Sequence, residues 1–369
     1  MKILLVTNRL KTYPLMYRLI LDTIHELGHE IIWAADFSNF IGNTDEIPCK
    51  VCSIPIHSNP LKPQNIRAFR QILNIIDKEK IEGIMCNTPI GSTLARLAAK
   101  KKNISPVVYT AHGFLFFRGA PLINRTVYKW LEQWLAHYTD TLITITEEDY
   151  VAAQKLKLRN GSQPFLIHGA GIKLGTEPSV DRIEKRREIG ISDDAFLIIS
   201  AGDLNKNKNT EIMVKAIAEL KDSNVHYIAC GVGPEETNLR HLSKNLGVDG
   251  NFHLLGYRTD VAELLKASDA FVMMSFREGL PRSVMEAMDL GLPCIGSDTR
   301  GVRDLIDVNK GGFICNPRKP GDFAAAIRKL RSSKSLCKQF GEYNKVKVKP
   351  YSCDVVKREL YSIYNEAFQ

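Results

Sequence analysis

Short apolar runs rich in β-branched residues recur along the chain, separated by longer stretches with helical periodicity. The first runs read KILLVTN, EIIWAAD, CKVCSIPI, GIMCNT, PVVYTAHG, TLITIT and PFLIHGAG. Near-continuous apolar runs predict strands buried on both faces of a sheet. One predicted helix runs from Pro14 to Leu27, with Gly28 as its stop. Strands alternating with helices predict a parallel, doubly wound α/β sheet.

The alternation pauses at IKLGTEPSVDRIEKRREIGISDD, a charged stretch that reads as an interdomain linker. It restarts with AFLIISAGDL, HYIACGVG, FHLLGY, AFVMMS, PCIGSD and GGFICN. Two Rossmann-like domains are therefore expected, residues 1–172 and 173–350, facing a cleft, with a last helix over 351–369. Open α/β sheets bind ligands beyond the carboxyl ends of their strands, so candidate chemistry is sought there.

Composition changes this picture little. At 369 residues, 44% hydrophobic and 25% charged, the chain is that of a globular protein. No apolar run approaches the roughly 20 residues that span a bilayer. The start, MKILLVTNR, reads as a strand rather than a signal peptide, so a cytoplasmic protein is expected. The 8 Cys are irregularly spaced, and Cys49 and Cys52 read as reduced thiols in a strand. The net charge of +9 is denser in the first half and favours an anionic partner: phospholipid, phosphate-bearing substrate or nucleic acid.

The most informative stretch is SFREGLPRSVMEAM, residues 275–288. A buried strand precedes it, and Pro281 suits a helix start. The first N–H groups of that helix are free to meet phosphate or polyol oxygens. Glu278 lies in the loop, and Glu286 lies inside the helix, four residues after Arg282. Two acceptor-only carboxylates on one wall suit sugar and ribose hydroxyls. A capping Glu278 and a solvated Glu286 fit the spacing equally well.

The segment REGLPRSVMEAMDLGLPCIGSD resembles the donor-site signature of retaining, family-4-type glycosyltransferases of bacterial capsule and exopolysaccharide synthesis. VVYTAHGFLFF, SAGDLNKNKNTEIMVKAI, LLGYRTDVAELLKASDAFVMMS and GVRDLI resemble further elements of that family, so the resemblance covers nearly the whole chain. It implies the GT-B fold, with the C-terminal helix returning to the first domain. It implies Glu278 on donor-sugar hydroxyls and Glu286 on the ribose, with backbone N–H groups around Gly279 and Leu280 at the diphosphate or sugar and Pro281 in the same donor-binding loop. It further implies Lys208 neutralising the diphosphate, Tyr257 and Arg258 bracketing the base, and His112 reaching the donor sugar.

One departure stands out. The arginine that many members carry just after the loop glycine is Asp203 here, after Gly202. Lys206, Arg277 or Arg282 is expected to act with Lys208 instead. No D-x-D loop is placed to hold a cation, so metal-independent transfer without a cofactor is expected. The donor is expected to be a UDP-sugar and the reaction a hexosyl or N-acetylhexosaminyl transfer. The leaving phosphate oxygen would help take the acceptor proton, leaving His112 first as a positioning group and second as a base. A satisfied structural histidine is the other reading of His112.

Three features stay open. Gly231 and Gly233 in CGVGP read as a tight turn or a phosphate approach. His168 reads as structural, and Lys100–Lys102 as a solvated helix end. Ile123, Val127, Trp130, Trp134 and Tyr138 form one helical stripe with Arg125 and Lys129 beside it. That stripe faces either the core or an anionic membrane at the inner leaflet. The resemblance implies a glycan acceptor, lipid-linked through polyprenyl diphosphate or free, in surface polysaccharide synthesis. Rival readings are a GT-B epimerase, a non-catalytic sugar-nucleotide binder and a nucleic-acid binder. No aromatic-basic platform supports the last, so no nucleic acid is expected.

Overall fold

The computed structural model describes all residues, 1–369. The chain divides into two compact units, Met1–Gly171 with Cys353–Gln369, and Ile172–Ser352.

In the first unit every apolar run becomes a strand: β1 (Lys2–Arg9), β2 (Glu30–Asp36), β3 (Lys50–Ser53), β4 (Gly83–Cys86), β5 (Val107–Ala111), β6 (Thr141–Thr144) and β7 (Phe165–Leu166). All pair in parallel in the order β3-β2-β1-β4-β5-β6-β7. The winding reverses between β1 and β4, which leaves a crevice at their carboxyl ends. Its helices are α1 (Leu15–Glu26), α2 (Gln64–Glu79), α3 (Pro89–Lys102), α4 (Lys129–Ala136) and α5 (Glu147–Ala153). Isoleucines and alanines of α2 and α3 bury one face of the sheet.

The second unit holds β8 (Phe196–Ala201), β9 (Val225–Cys230), β10 (Phe252–Gly256), β11 (Ala270–Met273), β12 (Cys294–Ser297) and β13 (Gly312–Cys315). They form a parallel sheet in the order β10-β9-β8-β11-β12-β13, reversing between β8 and β11. Around it lie α6 (Arg182–Glu188), α7 (Thr210–Leu220), α8 (Glu236–Asn245), α9 (Val261–Ala267), α10 (Arg282–Asp289), α11 (Arg300–Leu305), α12 (Pro320–Arg331) and α13 (Lys334–Lys347). Both sheets are Rossmann-like.

The last helix, α14 (Cys353–Ala367), packs on α1 of the first unit. Lys357 pairs with Glu26, and Tyr364 is buried. Glu359 accepts from the backbone N–H of His168 at 3.0 Å and pairs with its ring, so His168 fastens the strand end after β7 to this helix.

The charged stretch 172–194 is not a free linker. It carries α6, which packs on α9. Arg186 is 1% exposed. Its guanidinium donates to the carbonyls of Ala267, Ser192, Asp193 and Ala195, and to the Asp269 carboxylate at 2.6 Å. A charge so buried is tolerated because every donor has an acceptor.

Candidate active site

The loops after β8 and β11 meet at an ion pair. Lys208 Nζ lies 2.8 Å from Glu278 Oε1, with both side chains largely buried. The backbones are tied as well. Phe276 N–H donates to the Asn207 carbonyl at 2.8 Å, and the Asn207 amide donates to the Arg277 carbonyl at 2.9 Å. Asn209 donates to the carbonyls of Met274 and Pro317 at 3.1 and 2.8 Å. Two loops that are 70 residues apart in sequence thus behave as one wall.

Glu278 is held from behind by Arg300, whose Nε donates to the Glu278 carbonyl at 3.0 Å. The start of α11 presses so close that a Cβ on Gly301 would lie 1.5 Å from the Gly279 carbonyl oxygen. Only glycine fits there. Pro281 caps α10 without a side-chain bond, so the first turn of α10 keeps free N–H groups beside Gly279 and Leu280. Glu286 sits 3.6 Å from Arg282 on the same helix face. Burial raises its carboxyl above the ordinary range, and Arg282 opposes that rise in part.

The loops after β8 and β9 are stacked on each other. A Cβ on Gly231 would lie 1.9 Å from the Gly202 carbonyl oxygen, and one on Gly233 would lie 2.2 Å from that of Leu204. The glycine pair therefore serves close backbone packing. Gly202, Asp203 and Lys208 line a small cavity together, beneath Ser275.

Two sequence-predicted donor residues stand elsewhere. Lys206 lines a cavity of about 650 Å³ between α7, α8 and Pro317–Pro320, whereas Lys208 lines the small one beneath Ser275. Arg258 is bound to Asp260 at 2.7 Å and to Glu188 at 2.9 Å. Lys185 joins the same network, which draws the Asp260 carboxyl far below the usual range. Tyr257, by contrast, is 78% exposed and free to stack. Arg277 is exposed at the wall's outer edge.

In the first unit, His112 follows β5. Its Nε2 is buried without a partner, and desolvation lowers its pKa to about 4, so the ring is neutral at pH 7. The turn beyond it is fixed by Asp149 of α5, which accepts from the Phe114 N–H at 3.2 Å and the Thr146 hydroxyl at 2.7 Å. No three His, Cys, Asp or Glu side chains gather as a metal set.

A family profile described as Glycosyl transferases group 1 matches residues 181–347, and one described as Glycosyltransferase Family 4 matches residues 18–160. EpsD of Bacillus subtilis (strain 168), named as a glycosyltransferase, is 34% identical over 347 residues, covering 92% of this chain and 90% of that protein. The chain is a family 4 glycosyltransferase.

A relative from Escherichia coli, named UDP-Gal:alpha-D-GlcNAc-diphosphoundecaprenol alpha-1,3-galactosyltransferase, is 26% identical and covers 74% of this chain and 72% of that protein. HepE of Anabaena, solved with UDP and glucose, superposes with a TM-score of 0.80 at 16% identity, covering 99% and 100% of the two chains. That likeness supports the GT-B fold of the glycosyltransferase.

Arg300 and Asn207 support this candidate wall and were missed by sequence reasoning. Their roles are bonds to backbone carbonyls across the sheet, for which no local pattern exists. The aromatic stripe also differs from a core-facing one. Ile123, Val127 and Trp130 are exposed, and Leu135 and Ala136 bury the other side of α4. Trp134 stacks on Trp130, and Lys100 lies over Trp134 and Tyr138, 5.2 and 4.6 Å from their ring centres. Lys100 is thus engaged in cation–π contacts rather than simply solvated. No helix is long and apolar enough to cross a membrane.

Proposed function

We propose that this glycosyltransferase moves a hexosyl or N-acetylhexosaminyl group from a UDP-sugar, with retention, to a hydroxyl of a lipid-linked glycan. The observation that carries the reading is the Lys208–Glu278 pair beside the uncapped α10 N-terminus. A diphosphate there meets one ammonium and several N–H groups, and the carboxylate is then free for sugar hydroxyls. The bond from the anomeric carbon to the diphosphate oxygen breaks, and one to the acceptor oxygen forms on the same face. The acceptor proton passes to the departing phosphate oxygen. Lys208 and the α10 dipole stabilise the charge that grows on UDP, and the chemistry needs no metal.

The acceptor reading draws on the E. coli relative, whose name carries a diphosphoundecaprenol acceptor. It draws equally on the exposed Leu122, Ile123, Val127 and Trp130 with Arg125 and Lys129 beside them, which suit an anionic membrane surface at the cytoplasmic face. We place the enzyme in surface polysaccharide synthesis on this basis.

A thermal-shift screen of UDP, UDP-glucose, UDP-galactose and UDP-N-acetylglucosamine tests the donor. Stabilisation grows with ligand over its dissociation constant. A chain whose melting temperature none of these raises does not use a UDP-sugar. The anomeric configuration of the product, read by NMR coupling constants, tests retention.

A further inference from the structure

The cavity of about 650 Å³ that Lys206 lines lies wholly within the second unit. Its walls are mostly apolar: Ile212 of α7, Leu239 and Leu242 of α8, Phe276 after β11, and Pro317 and Pro320. Glu278, Glu286, Lys208 and Tyr257 line none of it. Its size is that of pockets that hold a small organic molecule rather than a single ion or water.

Two cations stand at its rim. Lys206 and Arg318 are exposed, and neither meets a carboxylate. Arg318 lies over the Phe276 ring, 5.3 Å from its centre, so one side of the cavity is a cation–aromatic pair. The two acids of the lining are engaged already. Glu211 pairs with Lys215, and Glu235 accepts from the Asn238 amide at 3.0 Å. Unpaired positive charge beside apolar walls suits a molecule with an aromatic body and an anionic group. Inorganic phosphate alone would leave the apolar walls wet, and an uncharged hydrocarbon would leave both cations unused.

This cavity adjoins the wall that carries the Lys208–Glu278 pair. The loop after β8 lines both cavities: Asn205, Lys206 and Asn209 line the large one, and Gly202, Asp203 and Lys208 line the small one beneath Ser275. Thr210 lines both. The Asn205 side chain accepts from the Lys208 backbone N–H at 3.1 Å, and Asn209 holds the carbonyls of Met274 and Pro317. A ligand that presses on Asn205 or Asn209 therefore presses on the loop that positions Lys208.

We propose that this cavity is an effector site for an anionic small molecule with an aromatic body, and that its occupancy changes donor binding through the loop of residues 202–209. The effect on the donor rests on the reading given under the proposed function, and the binding site itself does not.

The probe is anilinonaphthalene sulfonate, an aromatic anion that fluoresces in dry surroundings. The full chain is compared with Arg318→Glu, Arg318→Lys and Leu242→Glu, with the melting temperature of each recorded. Arg318→Glu and Leu242→Glu should weaken probe binding about 10-fold or more, and Arg318→Lys should keep most of it. Saturating probe should shift wild-type UDP affinity about fivefold or more, and UDP should shift the affinity for the probe by the same factor, because coupling is reciprocal. Arg318→Glu should lose the coupling and keep wild-type UDP-sugar hydrolysis.

Probe binding that is equal in wild type and Arg318→Glu overturns the site. Should Leu242→Glu fail to fold, Arg318→Glu decides alone, since its side chain is exposed on a loop. Probe binding that needs Arg318 but leaves UDP affinity and UDP-sugar hydrolysis unchanged overturns the effector role. A wild-type chain that neither binds UDP nor hydrolyses any UDP-sugar overturns the donor reading instead, while probe binding that needs Arg318 still upholds the site.

Discussion

Lys208 Nζ lies 2.8 Å from Glu278 Oε1, and the two residues come from loops at opposite sides of the β8–β11 switch point. The pair keeps a cation and a carboxylate in place before a donor arrives, which lowers the reorganisation needed in the transition state. On the mechanism proposed above, Lys208→Ala should lower kcat/KM by about 100-fold or more, since it removes the ammonium proposed to meet the leaving diphosphate. Glu278→Gln should leave UDP affinity largely intact and weaken the UDP-sugar over UDP. Titration with both ligands separates these effects. Equal affinities in wild type and both variants would sink the assignment.

Gly301→Ala should damage the same loop from behind. The added Cβ falls 1.5 Å from the Gly279 carbonyl oxygen, a backbone atom that no rotamer can move aside. Either α11 or the Glu278 loop must shift, at about 1–3 kcal/mol by the usual scale of overpacking. A lower denaturant midpoint together with lost turnover is expected. A variant of wild-type stability and activity would show that the contact is slack.

Much of this was legible in the sequence, for identifiable reasons. Thirteen apolar runs became thirteen strands because strands buried on both faces admit few polar residues. The Glu278 loop was legible because Gly279, Pro281 and a helix start lie together in sequence. Bonds across the fold were not. Arg186 meets Asp269 at 83 residues' separation, so its helix read as linker. Lys206 and Lys208 read alike because an irregular loop has no period to say which cavity each lines. The ion pairs of Arg258 were not legible because Glu188, one of its partners, is 70 residues away.

Arg186→Met should be strongly destabilising. It removes a side chain that is 1% exposed and strips bonds from four carbonyls and the Asp269 carboxylate. The loss should be about 3 kcal/mol or more, the scale for breaking a buried charged network by deleting one partner. Chemical denaturation followed by tryptophan fluorescence alone would miss it, because all three tryptophans, Trp33, Trp130 and Trp134, lie in the first unit. Circular dichroism reports both units. A midpoint unchanged in both would show α6 to be dispensable.

Acid should weaken the fold through its neutral histidines. The His112 pKa falls from 6.5 to about 4 on folding, and burial lowers those of His226 and His253 as well. Their unfolded forms bind protons first as pH drops. Stability from these groups is therefore full above about pH 6.5 and is lost progressively as pH falls toward 4. His112→Gln should flatten this slope in melting temperature against pH. The same slope in both proteins would mean that His112 titrates normally.

The aromatic patch makes the sharpest separation between localisation and chemistry. Trp130 is 64% exposed and stacks on Trp134, with Val127 one turn before it and Lys129 and Arg125 alongside. Rings at headgroup depth and cations near anionic lipid add to each other, because the apolar term is insensitive to salt and the ionic one is screened. Wild-type protein should float with vesicles of phosphatidylglycerol and phosphatidylethanolamine, less so in high salt. Val127→Asp with Trp130→Asp should abolish flotation, since both aspartates face the negative leaflet. UDP-sugar hydrolysis in solution should be unchanged, because neither residue belongs to the donor wall. Flotation that survives the double substitution would move the membrane contact to another face of the first unit. Hydrolysis that falls with it would instead tie the patch to the fold of the site.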